Sequence, residues 1–160
     1  MASIRVVFFD IGETLVRRNA AGKQVLVSGV LEVIEHIREK GVLTGIISNT
    51  GEYTRQELSA LLPAEFRFDF FEPELVLLSS ELGAEIEKPG ATIFAIAYER
   101  ASRLTSSLSP ANCLFCGESP IEILGAQIAG FTGARVLADE KGTELAHLMN
   151  ELNQLGLVAD

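Results

Sequence analysis

The sequence predicts an α/β domain, with a mostly parallel sheet and helices on both of its faces. Two observations carry this expectation. Apolar runs of strand length alternate along the chain with stretches of helical periodicity. Polar residues also gather where the apolar runs end: Asp10, Ser48 with Asn49, and Glu118 after Gly117. In open α/β sheets that edge is where ligands bind, near the point where the strand order reverses.

Element by element, Ile4–Asp10 reads as the first strand, an apolar run that delivers one aspartate. Val30–Lys40 reads as a helix, with Val30, Val33, Ile34 and Ile37 on one face and Gly41 closing it. Val42–Ser48 is the second strand, and Tyr53–Leu62 a helix stopped by Pro63. Glu74–Ser79 is the third strand, and Pro89–Ser102 a helix with proline in its first turn. Asn112–Cys116 is the fourth strand, Pro120–Ala129 a short helix ended by Gly130, and Arg135–Ala138 the fifth strand. In a C-terminal helix, Leu145, Leu148, Met149 and Leu152 stand at core-facing spacing. Residues 1–160 form a single domain on this reading, with no repeat, linker or low-complexity segment.

Bulk properties narrow the function. The chain has 160 residues, 48% of them hydrophobic, which is enough for one full core. Its net charge of −9 disfavours nucleic acid and anionic membranes as partners, because both recruit Lys and Arg. No apolar stretch reaches transmembrane length, and the N-terminus lacks a signal-peptide layout, so a soluble cytoplasmic protein is expected. Cys113 and Cys116 form a C-x-x-C. On a strand, positions three apart face opposite ways, so these are expected to be separate core thiols rather than a zinc or redox pair. His36 and His147 lie among charged neighbours in helical patterns and are read as surface residues. Arg17 and Arg18 are read as a solvated pair.

The polar groups at the sheet edge need a joint explanation. An aspartate at a strand end, Asp10, suits a nucleophile that forms an aspartyl-phosphate, and also a magnesium ligand. Glu118 or Glu122 would supply a second acid to the metal. Ser48 and Asn49 offer a hydroxyl and backbone N–H groups to phosphoryl oxygens, and Lys88 offers positive charge. Together these are the requirements of phosphoryl transfer.

At these residues the chain resembles the haloacid dehalogenase (HAD) superfamily of hydrolases, from Ile4 to about Leu137. FFDIGETLV is similar to the family's first motif, a strand followed by D-x-D-x-T. GIISNTG resembles the second, a strand ending in Ser or Thr. SSELGAEIEKPGATIFAIA resembles the Lys-Pro motif, and CLFCGESPIEILGAQIAG the fourth, a Gly-Asp followed by a second acid. The resemblance implies a Rossmann-like three-layer sandwich and a Mg²⁺-dependent phosphatase. Asp10 would be nucleophile and metal ligand, with Gly12 giving a backbone carbonyl to the metal. Ser48 and Asn49 would bind the phosphoryl group, and Lys88 would stabilise it. Glu118 and Glu122 would be the acidic metal ligands.

Three positions depart from the family's pattern. Glu118 and Glu122 replace aspartates, which keeps the charge but lengthens the side chain. Gly12 stands where most family phosphatases carry the general acid/base aspartate. General acid–base help is worth ~10²–10⁴-fold. Its loss weighs most on alkyl esters and least on acyl or aryl phosphates. Glu13 is a poor substitute, because its side chain starts from the adjacent backbone position. The same departures favour, as the alternative, a catalytically weak or inactive binding or regulatory module on this fold. No cap domain fits in Arg17–Gly29 or Asn49–Glu87, so the edge would be open beneath a short flap, Arg17–Ser28. Capless members of the family act on macromolecules or use a neighbouring subunit as a lid. The substrate is therefore expected to be a phosphorylated small molecule or phosphoprotein, with a homo-oligomer or protein partner covering the site.

Overall fold

The computed structural model describes residues 3–83, 85–136 and 143–156. Strand β1 (Val6–Phe9) is followed by a small antiparallel hairpin, β2 (Val16–Arg18) and β3 (Gln24–Leu26). Then come α1 (Val30–Glu39), β4 (Leu43–Ser48), α2 (Arg55–Leu61), β5 (Val76–Leu78) and α3 (Ser79–Leu82). The chain continues through α4 (Ala91–Leu104), β6 (Cys113–Gly117), α5 (Pro120–Ile128), β7 (Thr132–Arg135) and α6 (Thr143–Gln154). Five strands form one parallel sheet in the order β5-β4-β1-β6-β7. This is the expected α/β Rossmann-like sandwich.

Strand β1 is the centre of the sheet, and its four residues are fully buried. Alternation splits them between two cores. Val7 and Phe9 pack with Val30, Val33, Ile34 and Ile37 of α1 and with Leu148 and Leu152 of α6. Val6 and Phe8 pack with Ile93, Phe94 and Ala97 of α4 and with Ile123 and Ala126 of α5. The α1 stripe is buried as its spacing predicts. On α6, Leu148 and Leu152 are buried as expected, while the side chains of Leu145 and Met149 lie outside the described residues. No helix among the described residues is long and apolar enough to cross a membrane.

Strand β6 repeats the alternation and resolves the C-x-x-C. Cys113 faces the α4–α5 core and Cys116 the α1–α6 core, both fully buried and both free thiols. Burial pushes the Cys113 thiol up to about 12 and raises that of Cys116 as well. The thiolate is the reactive form. At pH 8 the folded protein is therefore expected to resist thiol-specific reagents, with both cysteines titrating only after denaturation. Rapid modification of either in the native state would contradict this packing.

Several boundaries differ from the sequence expectation, each for a local reason. Helix α2 starts at Arg55 rather than Tyr53, because the Thr54 side chain caps it, accepting the Glu57 N–H at 3.1 Å. Strand β5 is three residues long, because Pro73–Leu75 forms a 3₁₀ turn and Ser79 begins α3. Helix α4 begins at Ala91, so Lys88 and Pro89 sit in the turn before it, with the Gly90 N–H bonded to the Glu87 carbonyl at 3.0 Å. Strand β7 begins at Thr132, earlier than the expected Arg135–Ala138, whose residues Leu137 and Ala138 lie outside the described residues. Its sequence, TGAR, carries no apolar signal. A glycine stands at 133 because α5 packs close: a Cβ there would lie 2.8 Å from the Ile123 side chain.

Candidate active site

From β1 the chain runs outward to β4 and β5 on one side, and it later fills β6 and β7 on the other. The order therefore reverses at β1, and Asp10 stands at the carboxyl end of that strand, between the ends of β4 and β6. Its backbone N–H is held by the Cys116 carbonyl at 2.9 Å. Beyond it the chain turns tightly. The Ile11 carbonyl accepts N–H groups from Thr14, Leu15 and Val16, and Glu13 adopts a left-handed φ of 57°. Gly117, at the end of β6, keeps the approach to Asp10 narrow. A Cβ there would lie 3.0 Å from the Phe115 ring and 3.7 Å from the Asp10 Cβ.

The organising group is Lys88. Its side chain is only 1% exposed, and its Nζ lies 3.0 Å from Asp10 Oδ1 and 2.6 Å from Glu122 Oε1. The ammonium also sits 5.0 Å from the centre of the Phe115 ring, a cation–π contact. Burying an ammonium this deeply is unfavourable unless it is paired, and two carboxylates from two different elements pair it. Asp10 Oδ1 also accepts the Ile11 N–H at 2.8 Å, so one carboxylate oxygen is fixed by two donors.

Asn49 holds Lys88 in place. Its side-chain amide donates to the Lys88 carbonyl at 2.9 Å and accepts the Lys88 N–H at 2.8 Å. The Asn49 side chain, expected at the substrate, is thus engaged with the Lys88 backbone, which leaves backbone N–H groups as its means of reaching a phosphoryl group. The next residue is tied down as well. The Thr50 N–H donates to Ser79 Oγ at 2.8 Å, and Thr50 Oγ1 bonds Ser80 Oγ at 2.8 Å. Ser48 ends β4 between these anchors and is buried.

Helix α5 supplies the second acid. Ser119 caps its N-terminus, accepting the Glu122 N–H, and Pro120 occupies its first turn. Glu122, expected among the metal ligands, is engaged with Lys88. Glu118 lies at the end of β6, partly buried, and its backbone carbonyl accepts Arg135 Nε at 2.9 Å. Helix α5 lies close against the Lys88–Pro89 turn because residue 125 is glycine. A Cβ there would fall 2.5 Å from the Pro89 carbonyl oxygen. Gly125→Ala is expected to destabilise the fold by about 1–3 kcal/mol and to disturb Lys88. Chemical denaturation checks this, and an unchanged midpoint would contradict it.

The structure therefore joins Asp10, Lys88 and Glu122 by direct contacts, with Ser48 at the end of β4 and Asn49, Gly12 and Glu118 on the neighbouring loops. Two roles had no sequence signal: Asn49 as the strut of Lys88, and Phe115 as the ring beside its ammonium. His36 is paired within α1 to Glu39 at 4.0 Å, and His147 within α6 to Glu151 at 3.9 Å, both away from the edge. Among the described residues, no three His, Cys, Asp or Glu side chains converge as a metal cluster. The oxygens at the edge still suit a hard cation, since Mg²⁺ is usually held by one or two carboxylates, with water and substrate oxygens completing its shell.

A groove of about 420 Å³ opens beside this edge, between the β2–β3 hairpin and α2, with Gly12, Ser48 and Asn49 in its wall. A larger hollow, about 630 Å³, lies on the outer face of α1 near Phe70, and none of the site residues lines it.

No protein-family model matches the sequence, and no curated protein is significantly similar to it. Solved structures are similar in fold. A protein from Listeria monocytogenes serotype 4b superposes with a TM-score of 0.70 at 19% identity, over 94% of this chain and 99% of that one. A HAD family enzyme from Bacteroides thetaiotaomicron, solved in complex with magnesium and inorganic phosphate, gives 0.66 at 17% identity, over 86% and 96%. A HAD family hydrolase from Deinococcus radiodurans R1, with bound phosphate and sodium, gives 0.67 at 14% identity, over 99% of both chains. The sheet order, the aspartate at the end of β1 and these superpositions lead to one conclusion: the chain is a HAD-fold protein.

Proposed function

We propose that the chain is a Mg²⁺-dependent phosphatase-type hydrolase that works through an aspartyl-phosphate on Asp10. The observation that carries this reading is the buried Lys88 ammonium, shared between Asp10 at 3.0 Å and Glu122 at 2.6 Å at the strand ends. A lysine in that position fixes the orientation of the Asp10 carboxylate and offers positive charge to the phosphoryl oxygens as they gather charge. Asp10 attacks phosphorus, the leaving group departs with the bonding electrons, and water then hydrolyses the acyl phosphate to restore the carboxylate. Ser48 and the backbone N–H groups beside it hold the phosphoryl oxygens.

The charge at the edge argues for a cation. Two carboxylates, Asp10 and Glu122, share the Lys88 ammonium, and Glu118 stands just past the end of β6, so the acids at the strand ends outnumber the buried cation. Asp10, the Gly12 carbonyl and Glu118 would hold Mg²⁺, and Glu122 keeps Lys88 in place beside it. Bound there, the ion would neutralise the phosphoryl oxygens and orient them toward Asp10. The magnesium and phosphate in the Bacteroides thetaiotaomicron enzyme support this reading.

The test is phosphate release from acetyl phosphate and p-nitrophenyl phosphate, with and without Mg²⁺. Release that needs Mg²⁺ is expected. No release from either compound would favour the alternative, a HAD-fold binding or regulatory module without turnover, to which Gly12 points.

A further inference from the structure

The groove beside Asp10 has an unusual lining for a site that must expel an oxygen leaving group. Val16, Tyr53, Leu58 and Leu61 give it an apolar wall, and among the described residues Arg18 is the one charged side chain that lines it. Among the described residues, no carboxylic acid and no histidine lines it. The lining offers a guanidinium, the Tyr53 phenol and the Ser48 and Thr50 hydroxyls, but neither a carboxyl nor an imidazole, the groups that most often serve as general acids. At Gly12 the wall is bare, and a Cβ there would meet nothing within 4 Å. Tyr53 and Leu61 are about half exposed, at 51% and 54%, so apolar surface is available to a ligand rather than filled by the core. The volume, about 420 Å³, is within the range of small-molecule pockets.

Resting on the phosphatase reading above, we propose that this groove receives the leaving group of the substrate, and that the leaving group is an aromatic alcohol of one or two rings. The chemistry and the shape agree. A phenolate leaves as the anion without needing a proton in the transition state, whereas an alkoxide does need one. An aromatic ring also buries well against Tyr53, Leu58 and Leu61. Arg18, in the lining, offers positive charge to the departing phenolate. In the balanced step, Asp10 Oδ forms a bond to phosphorus, the phosphorus–oxygen bond to the ring breaks, and the phenolate takes the electron pair and later a proton from water.

The experiment compares kcat/KM for 1-naphthyl phosphate, β-glycerophosphate and acetyl phosphate, with Mg²⁺, in the wild type, Tyr53→Ala and Leu61→Glu. Naphthyl phosphate is expected to exceed glycerophosphate by roughly 100-fold or more in the wild type. Each variant is expected to lower the naphthyl-to-acetyl ratio about tenfold, the usual effect of degrading an apolar pocket. Both side chains are half exposed, so the variants are expected to fold, and a thermal melt checks this. A ratio that neither variant moves, or glycerophosphate cleaved as well as naphthyl phosphate, would overturn the groove assignment. Mg²⁺-dependent release from acetyl phosphate would leave the Asp10 reaction standing in that case. No release from any of the three would overturn both.

Discussion

Asp10→Asn is expected to abolish Mg²⁺-dependent phosphate release, by about 10³-fold or more, while leaving the fold intact. The amide is nearly isosteric but a very poor nucleophile toward phosphorus, so the covalent route closes, and loss of a nucleophile costs most of the catalysis. The fold survives because Lys88 keeps its 2.6 Å partner Glu122, and the Asn side-chain oxygen still accepts from Ile11. Steady-state assays beside a denaturation curve read the two effects separately. Residual turnover near the wild-type rate in a folded Asp10→Asn protein would remove the nucleophile role.

Lys88→Met has the opposite profile, damaging stability and activity together. The substitution keeps the length of the side chain but removes the cation, leaving Asp10 and Glu122 without the partner they share. Breaking a buried ion pair by deleting one partner costs ~3–5 kcal/mol. The carboxylates here keep 13% and 20% exposure, so the lower end, about 3 kcal/mol, is expected. For a domain of this size that lowers Tm by roughly 6–12 °C. Loss of the positive group from the phosphoryl oxygens should reduce kcat by about 10²–10³-fold. A Tm within about 1 °C of wild type would show that the ammonium is not the organising charge.

These two residues also mark what the sequence makes legible. Asp10 can be read because its signal is local: a buried apolar strand that ends in one carboxylate. The five-strand alternation and the α1 stripe are legible for the same reason, since a strand or helix face is written in consecutive residues. Lys88 is visible as a motif, but its partnership with Glu122 joins positions 34 residues apart that only the packing of α5 against the Lys88–Pro89 turn brings together. Asn49 reads as a phosphoryl-binding residue, and its two bonds to the Lys88 backbone span 39 positions. Strand β7 begins before the expected run because Gly133 leaves room for α5 and TGAR holds a single β-branched residue, too little for the signal of a buried strand. The hairpin β2–β3 is legible only as a short flap. Its strands are three residues each and carry Arg17 and Arg18, too short and too polar for a period-two pattern to emerge.

The central claim is that Asp10 carries the phosphoryl group in the reaction. The most direct measurement is an acid quench during turnover of acetyl phosphate with Mg²⁺, followed by proteolysis and mass spectrometry of the peptide that contains Asp10. A phosphoryl adduct on that peptide, assigned to Asp10, is expected, and none in Asp10→Asn. Sustained turnover with no adduct at Asp10, unaffected by the substitution, would contradict it.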